Sequence, residues 1–225
     1  MAGEGNGLTE LFHYFTANWP KILWLTWQHM TIVGVAVGLA IITGIPLGVA
    51  AAQNRRLAGA VLYTASIIMT IPSMALFGVL IPLLALINRG IGYVPAVIAI
   101  FLYSQLPIIS NTYAAFRSID PALREAARGM GMTRLQRLRL IEAPLVVPLI
   151  VAGVRTAIVL NIGIAAIAAY IGAGGLGLLI RSGITQTDTR QILAGAIAVS
   201  VLALVMDRLF ALLQRRLTSP GLVPA

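Results

Sequence analysis

The 225-residue sequence contains no cysteine. No disulfide, thiolate metal site or cysteine nucleophile can therefore form. Charge is also scarce: only 10% of residues are charged, against about a quarter in a soluble domain. Acid is scarcer still, with 7 Asp and Glu against 16 Lys and Arg, for a net charge of +9. Lys21 is the only lysine, and no Walker A phosphate loop (G-x-x-x-x-G-K-[ST]) is present. These absences exclude an ordinary soluble globule, a disordered chain and a disulfide scaffold. What remains is apolar: 59% of residues are hydrophobic and the mean hydropathy is +0.92. That composition describes a polytopic helical membrane protein. The pI of 11.1 would elsewhere suggest nucleic acid. With so few charges on so much apolar surface, no nucleic-acid partner is expected.

Long uncharged runs occupy residues 22–54, 57–88 and 90–116. Each exceeds the roughly 20 residues a helix needs to cross the hydrocarbon core. Two further runs are interrupted by charge, Pro144 to Ile171 by Arg155 and Gln191 to Leu213 by Asp207 and Arg208. Barrel strands would give short alternating segments instead. The expectation is an all-α chain with five transmembrane helices near 28–52, 58–87, 93–116, 144–171 and 191–213. Pro46, Pro72, Pro82, Pro95 and Pro107 fall inside apolar runs, where membrane helices tolerate proline, so kinked helices packed against each other are expected. Gly34–Gly38 and Gly44–Gly48 are small-xxx-small pairs suited to close helix packing.

The arginines orient the spans. Arg55 and Arg56 follow the first span, and Arg215 and Arg216 follow the fifth. Arg117, Arg124, Arg128, Arg134, Arg137 and Arg139 lie between the third and fourth. With alternating spans all of these share one side, so the N-terminus is expected outside and the C-terminus in the cytoplasm. The chain divides accordingly into an external segment 1–27, a transmembrane domain 28–213 enclosing a cytoplasmic loop 117–143, and a tail 214–225. The first 27 residues do not read as a signal peptide, because Glu4 and Glu10 stand where basic residues should be. Leu8, Leu11, Phe12 and Phe15, followed by Trp19, Trp24 and Trp27, suggest a short interfacial helix with an aromatic belt.

The loop is the most informative segment. Asp120 is a good N-cap and Pro121 suits the first helical position. Gly129 and Gly131 end that helix. Thr133 to Gln136 reads as a capping box opening a second one. An arginine-rich anchor on anionic lipid explains the charges. It does not explain Glu125-Ala126-Ala127 or the two glycines, which suit close approach by a cytoplasmic partner.

Glu125-Ala126-Ala127, three residues, Gly131, nine residues, Ile141, one residue, then Ala143-Pro144 resembles the EAA loop of ABC importer permeases. The family pattern is E-A-A-x3-G-x9-I-x-L-P, with Ala143 here in place of Leu. The stretches Ile71 to Gly78, Leu102 to Pro107, Asn111 to Tyr113, Glu125 to Arg134 and Ile171 to Gly177 are similar to permeases for osmoprotectants: glycine betaine, choline, carnitine and proline betaine. The resemblance covers residues 8–213. It implies a type I importer permease (MetI-like) fold in a bacterial inner membrane and no covalent chemistry or cofactor in this chain. Asp120, Arg124, Glu125, Ala126, Ala127, Gly131, Ile141 and Pro144 would form the coupling loop that seats in an ATPase subunit. It further implies two ATPase subunits, a second permease subunit (identical or a paralogue), a separate periplasmic or lipid-anchored binding protein, and contact with membrane lipid. A methionine or sulfonate permease, or a channel without ATP, are the alternatives.

Other groups carry weaker signals. Gly172 to Gly177 satisfies G-x-G-x-x-G, but a dinucleotide site needs a preceding strand, so a tight external turn is expected. His13 and His29, near the outer interface, have no acid or Cys cluster beside them, and no metal site is expected. Arg155 lies about 16 Å past Pro144 and Asp207 about 12 Å before Arg215 at 1.5 Å per residue. Similar depth makes them a candidate ion pair. Gln105, Ser110, Asn111 and Asn161 are polar residues near mid-span, candidates to line a translocation path or to bond helix to helix.

Overall fold

The computed structural model describes residues 6–218, without the side chains of Asn6 and Leu8. The expectations for Glu4, Leu8 and the end of the tail lie outside the described residues. Nine α-helices account for almost all of the described chain. They are α1 (Asn6–Gln53), α2 (Arg55–Thr70), α3 (Ser73–Ala85), α4 (Tyr93–Arg117), α5 (Pro121–Gly129), α6 (Arg134–Arg137), α7 (Ala143–Ala168), α8 (Gly177–Gln186) and α9 (Thr189–Leu217). A π-helical turn, Leu138–Glu142, joins α6 to α7, and a 3₁₀ turn, Ala169–Ile171, follows α7. No strand occurs among the described residues.

Four helical runs are long and apolar enough to cross a membrane: Thr9–Gln53, Tyr93–Arg117, Arg134–Ile171 and Thr189–Leu217. The run expected as a single span at 58–87 is divided. Pro72, which has no N–H to donate, takes an extended conformation (φ −58°, ψ 137°). It also disfavours helical geometry at Ile71. The helices on either side are bent by 99° at this break, so α2 and α3 together supply the fifth span or a re-entrant loop. The other end of the chain departs in the opposite sense. The separate interfacial helix expected before residue 28 is continuous with the first span in the 48-residue α1. Pro20 is the one strong breaker in that stretch, and a lone proline removes a single backbone hydrogen bond.

The fold comprises two compact units. One holds the chain up to Val37, Ile71–Phe101 and Ile158–Val205; the other holds Gly38–Thr70, Leu102–Ala157 and Met206 onward. In the first, Leu25, Leu176 and Leu179 are buried together, with Ile22, Leu178, Ala198, Val199 and Leu202 packed on them. In the second, Ala115, Ile119 and Val146 form a core closed by Phe116 and Ile150. There α1 and α4 pack backbone to backbone. A Cβ at Gly48 would lie 2.5 Å from Thr112 Cβ and 3.0 Å from the Ile109 carbonyl oxygen. Gly48 therefore permits an approach that any larger residue prevents. The other small-xxx-small pair differs: a Cβ at Gly34 or Gly38 would meet nothing within 4 Å.

Candidate functional site

The arginine-rich loop is built by local chemistry. The Asp120 side chain accepts a hydrogen bond from the Ala122 N–H at 2.8 Å, and Pro121 occupies the first turn of α5. At the other end Gly131 adopts φ 73°. Its N–H donates to the Arg128 carbonyl (2.9 Å), and the Met132 N–H donates to the Ala127 carbonyl (3.1 Å). This left-handed glycine satisfies carbonyls that the helix end would leave open. Thr133 and Gln136 form a reciprocal capping box: Thr133 N–H to Gln136 Oε1 at 2.9 Å, and Gln136 N–H to Thr133 Oγ1 at 3.3 Å.

The Glu-Ala-Ala triplet splits between two environments. Ala127 is fully buried, whereas Glu125 and Ala126 are exposed. Glu125 has no ion-pair partner among the described residues. The same loop exposes the apolar side chains of Leu123, Met130, Leu135, Leu138 and Leu140. The loop thus exposes an unpaired acid and several apolar side chains alongside Asp120, Arg128, Arg134 and Arg139. Ile141 is half-buried and Pro144 exposed where the loop enters α7.

Arg124, one of the residues of the resembled coupling loop, is turned toward its own chain. Its Nη2 donates to the Phe116 carbonyl at the end of α4 (3.0 Å). Its Nε lies 3.2 Å from Glu142 Oε1, an ion pair not aligned as a hydrogen bond. Arg137 Nε donates to the same Glu142 oxygen at 3.0 Å. Glu142, only 6% exposed, was not singled out from the sequence. The available signal was its place as a lone acid three to five residues after Arg137 and Arg139.

In the spans, Arg155 of α7 donates from Nε and Nη2 to Asp207 Oδ1 and Oδ2 of α9, at 2.6 and 2.7 Å. Gln105 Nε2 donates to Thr43 Oγ1 at 3.0 Å, joining α4 to α1. Asn111 Nδ2 donates to the Pro107 carbonyl within α4 at 2.8 Å, and Ser110 Oγ donates weakly to the same atom at 3.4 Å. Asn161 is fully buried. Gln105 thus bonds one helix to another, and Asn111 bonds within its own.

His29 is fully buried. Its Nε2 is 3.0 Å from the Ile162 carbonyl, and its Nδ1 accepts from the Leu176 N–H at 3.3 Å. Donating at Nε2 and accepting at Nδ1 requires the neutral imidazole. The neighbouring Gln28 Oε1 accepts from the Gly175 N–H at 3.3 Å. Together they clasp the glycine run. Gly174 and Gly175 adopt φ of 88° and 80°, and a Cβ at Gly175 would lie 3.0 Å from His29 Nδ1. The run follows a helix and a 3₁₀ turn, not the strand that a dinucleotide site requires. Beyond α8, Asp188 Oδ1 accepts from the Arg190 N–H (3.0 Å) and Nε (3.2 Å) at the start of α9. Desolvation opposes ionisation of Asp188, but the bonds and charge of Arg190 outweigh it and hold the carboxyl below its ordinary value. Among the described residues no group of three or more His, Cys, Asp or Glu is placed to hold a metal ion.

Residues 44–219 match the family described as binding-protein-dependent transport system inner membrane component. The chain belongs to that family. The matched stretch contains the whole Asp120–Pro144 loop and both members of the Arg155–Asp207 pair. Similar curated proteins include the osmoprotectant import permease protein OsmW of Salmonella typhimurium, 53% identical over 95% of this chain and 99% of that one. The glycine betaine/carnitine/choline transport system permease protein OpuCB of Bacillus subtilis is 39% identical over 96% and 97%. The carnitine transport permease protein OpuCD of Listeria monocytogenes is 44% identical over 93% and 92%. Among solved structures, an inward-facing MetNI methionine ABC transporter superposes with a TM-score of 0.75 at 22% identity, covering 88% of this chain and 96% of that one. A crystal structure of an amino acid ABC transporter with histidines gives 0.74 at 18%, covering 91% and 98%. These two likenesses show the fold, that of a type I ABC importer permease. As an inner-membrane component of a binding-protein-dependent system, this permease works with an ATPase and a substrate-binding protein.

Proposed function

We propose that the protein is the permease subunit of an ABC importer for osmoprotectants, quaternary ammonium solutes such as glycine betaine, choline or carnitine. The observation that carries this reading is 53% identity to an osmoprotectant import permease over nearly the full length of both chains. The protein performs no covalent chemistry. Two permease chains, identical or paralogous, surround the pathway, two ATPase subunits engage their Asp120–Pro144 loops, and a binding protein delivers solute to the outer face. The N-terminus faces outward and the C-terminus inward, a reading that the arginine distribution supports.

Glu125 and the exposed apolar residues of its loop are the docking surface. ATP-driven closure of the ATPases moves these loops and shifts the spans between inward- and outward-open states, because the partner contacts the two states differently. Gln105, Asn111 and Asn161 serve helix packing. Selection among solutes is assigned to the binding protein, since a quaternary ammonium is best held by an aromatic cage. The test is ATP-dependent uptake by the reconstituted transporter with labelled glycine betaine, choline, carnitine and, for comparison, methionine. Uptake of a quaternary ammonium solute supports the reading, and uptake of methionine alone overturns it.

A further inference from the structure

We infer that Glu142 is a positioning residue that locks the docking loop to the spans, so that movement of the loop becomes movement of α7. The inference rests on the loop being the ATPase-docking element. One buried carboxylate oxygen holds Arg124 of α5 at 3.2 Å and Arg137 of α6 at 3.0 Å, and Glu142 itself ends the π-helical turn that becomes α7. Arg124 also reaches the Phe116 carbonyl in the last turn of α4. A single acid thus ties both loop helices to α7 and, through Arg124, to α4.

The chemistry favours a mechanical role over a partner contact. Glu142 is 6% exposed and cannot meet another chain without unfolding the loop, while Glu125, seventeen positions earlier, is exposed and unpaired. Removing the Glu142 charge leaves two guanidinium groups beside one another with no shared counter-charge, and they separate. The π-turn is the natural point of yielding. It carries a wider hydrogen-bond spacing than an α-helix, and such turns recur at functional sites. With the latch intact the loop and α7 move as one body. With it broken the loop follows the ATPase while the spans do not.

The experiment measures solute imported per ATP hydrolysed by the complete transporter in proteoliposomes, using whichever of glycine betaine or choline the wild type takes up. Glu142→Gln and Arg137→Gln are compared with Arg137→Lys, which keeps the positive charge. Arg137 is partly exposed, so its variant guards against a folding failure of the Glu142 one. Both Gln variants are expected to retain the ATPase on purification and to hydrolyse ATP. Their solute-to-ATP ratio falls at least roughly tenfold, the scale of one lost charge-assisted hydrogen bond. Arg137→Lys recovers most of the ratio. An unchanged ratio in both Gln variants overturns the latch, as does parallel loss of ATPase binding, which would make Glu142 a group that merely folds the loop. Glu125→Lys run alongside separates the two readings. If it abolishes uptake while the Glu142 and Arg137 variants stay coupled, docking stands and the latch falls.

Discussion

Arg155 and Asp207 meet as a two-pronged ion pair, Nε on Oδ1 at 2.6 Å and Nη2 on Oδ2 at 2.7 Å, between α7 and α9. Apolar side chains cover most of α9, and Leu204, Val205, Leu209, Leu212 and Leu213 are exposed on it. The pair ties the C-terminal half of this helix to α7. Arg155→Ala or Asp207→Ala leaves one charge unpaired in an apolar setting. Each is expected to lower the melting temperature, by less than in a fully buried pair because the two side chains are 34% and 29% exposed. The Arg155→Asp, Asp207→Arg double variant is expected to be more stable than either single charge reversal. Thermal denaturation of the detergent-purified protein measures this, and a double variant no better than the singles would refute the pairing.

The two glycine pairs of α1 predict opposite responses. Gly48→Leu forces a side chain into Thr112 and the Ile109 backbone, with an expected cost of at least about 1–3 kcal/mol. Gly34→Ala meets nothing and replaces glycine inside a helix, so it is expected to be neutral or to stabilise by up to about 1 kcal/mol. Melting of the two purified variants beside wild type tests the contrast. Equal effects would contradict the helix approach described at Gly48.

His29→Phe keeps a ring in the cavity but leaves the Ile162 carbonyl and the Leu176 N–H without their partner. The expected loss is about 2–4 kcal/mol for the two groups together. His29→Gln, which can both donate and accept, should recover part of it. Amide exchange at residues 172–177 reports the same event locally. Protection is expected to fall in His29→Phe and partly return in His29→Gln, while unaltered protection would mean that His29 does not hold the glycine run.

How much of this was legible in the sequence follows the range of each interaction. The caps at Asp120, Gly131 and Thr133 depend on residues within a few positions of one another, and the sequence shows them directly. The spans are legible because burial in lipid demands length and apolarity. A kink at Pro72 was legible from the proline itself, but not that it would divide the run into two helices bent by 99°. The continuity of α1 was hidden because aromatic residues replace aliphatic ones around residue 27 without any change in helix propensity strong enough to stop the helix. The roles of Glu142 and His29 were hidden for a different reason. Their partners, Arg124, Ile162 and Leu176, are distant in sequence or reached only through a turn whose π geometry no local pattern announces. A lone buried histidine or acid reveals its role only when its neighbours are in place.

If Glu125 lies on the surface through which ATP hydrolysis in a partner drives import, uptake by the reconstituted transporter depends on it. With binding protein, ATPase and ATP present, the wild type is expected to accumulate a quaternary ammonium solute, and Glu125→Lys is expected to insert normally, lose the ATPase and show no ATP-dependent uptake. Normal uptake by Glu125→Lys, or solute flux in the wild type that proceeds without ATP, would contradict the account.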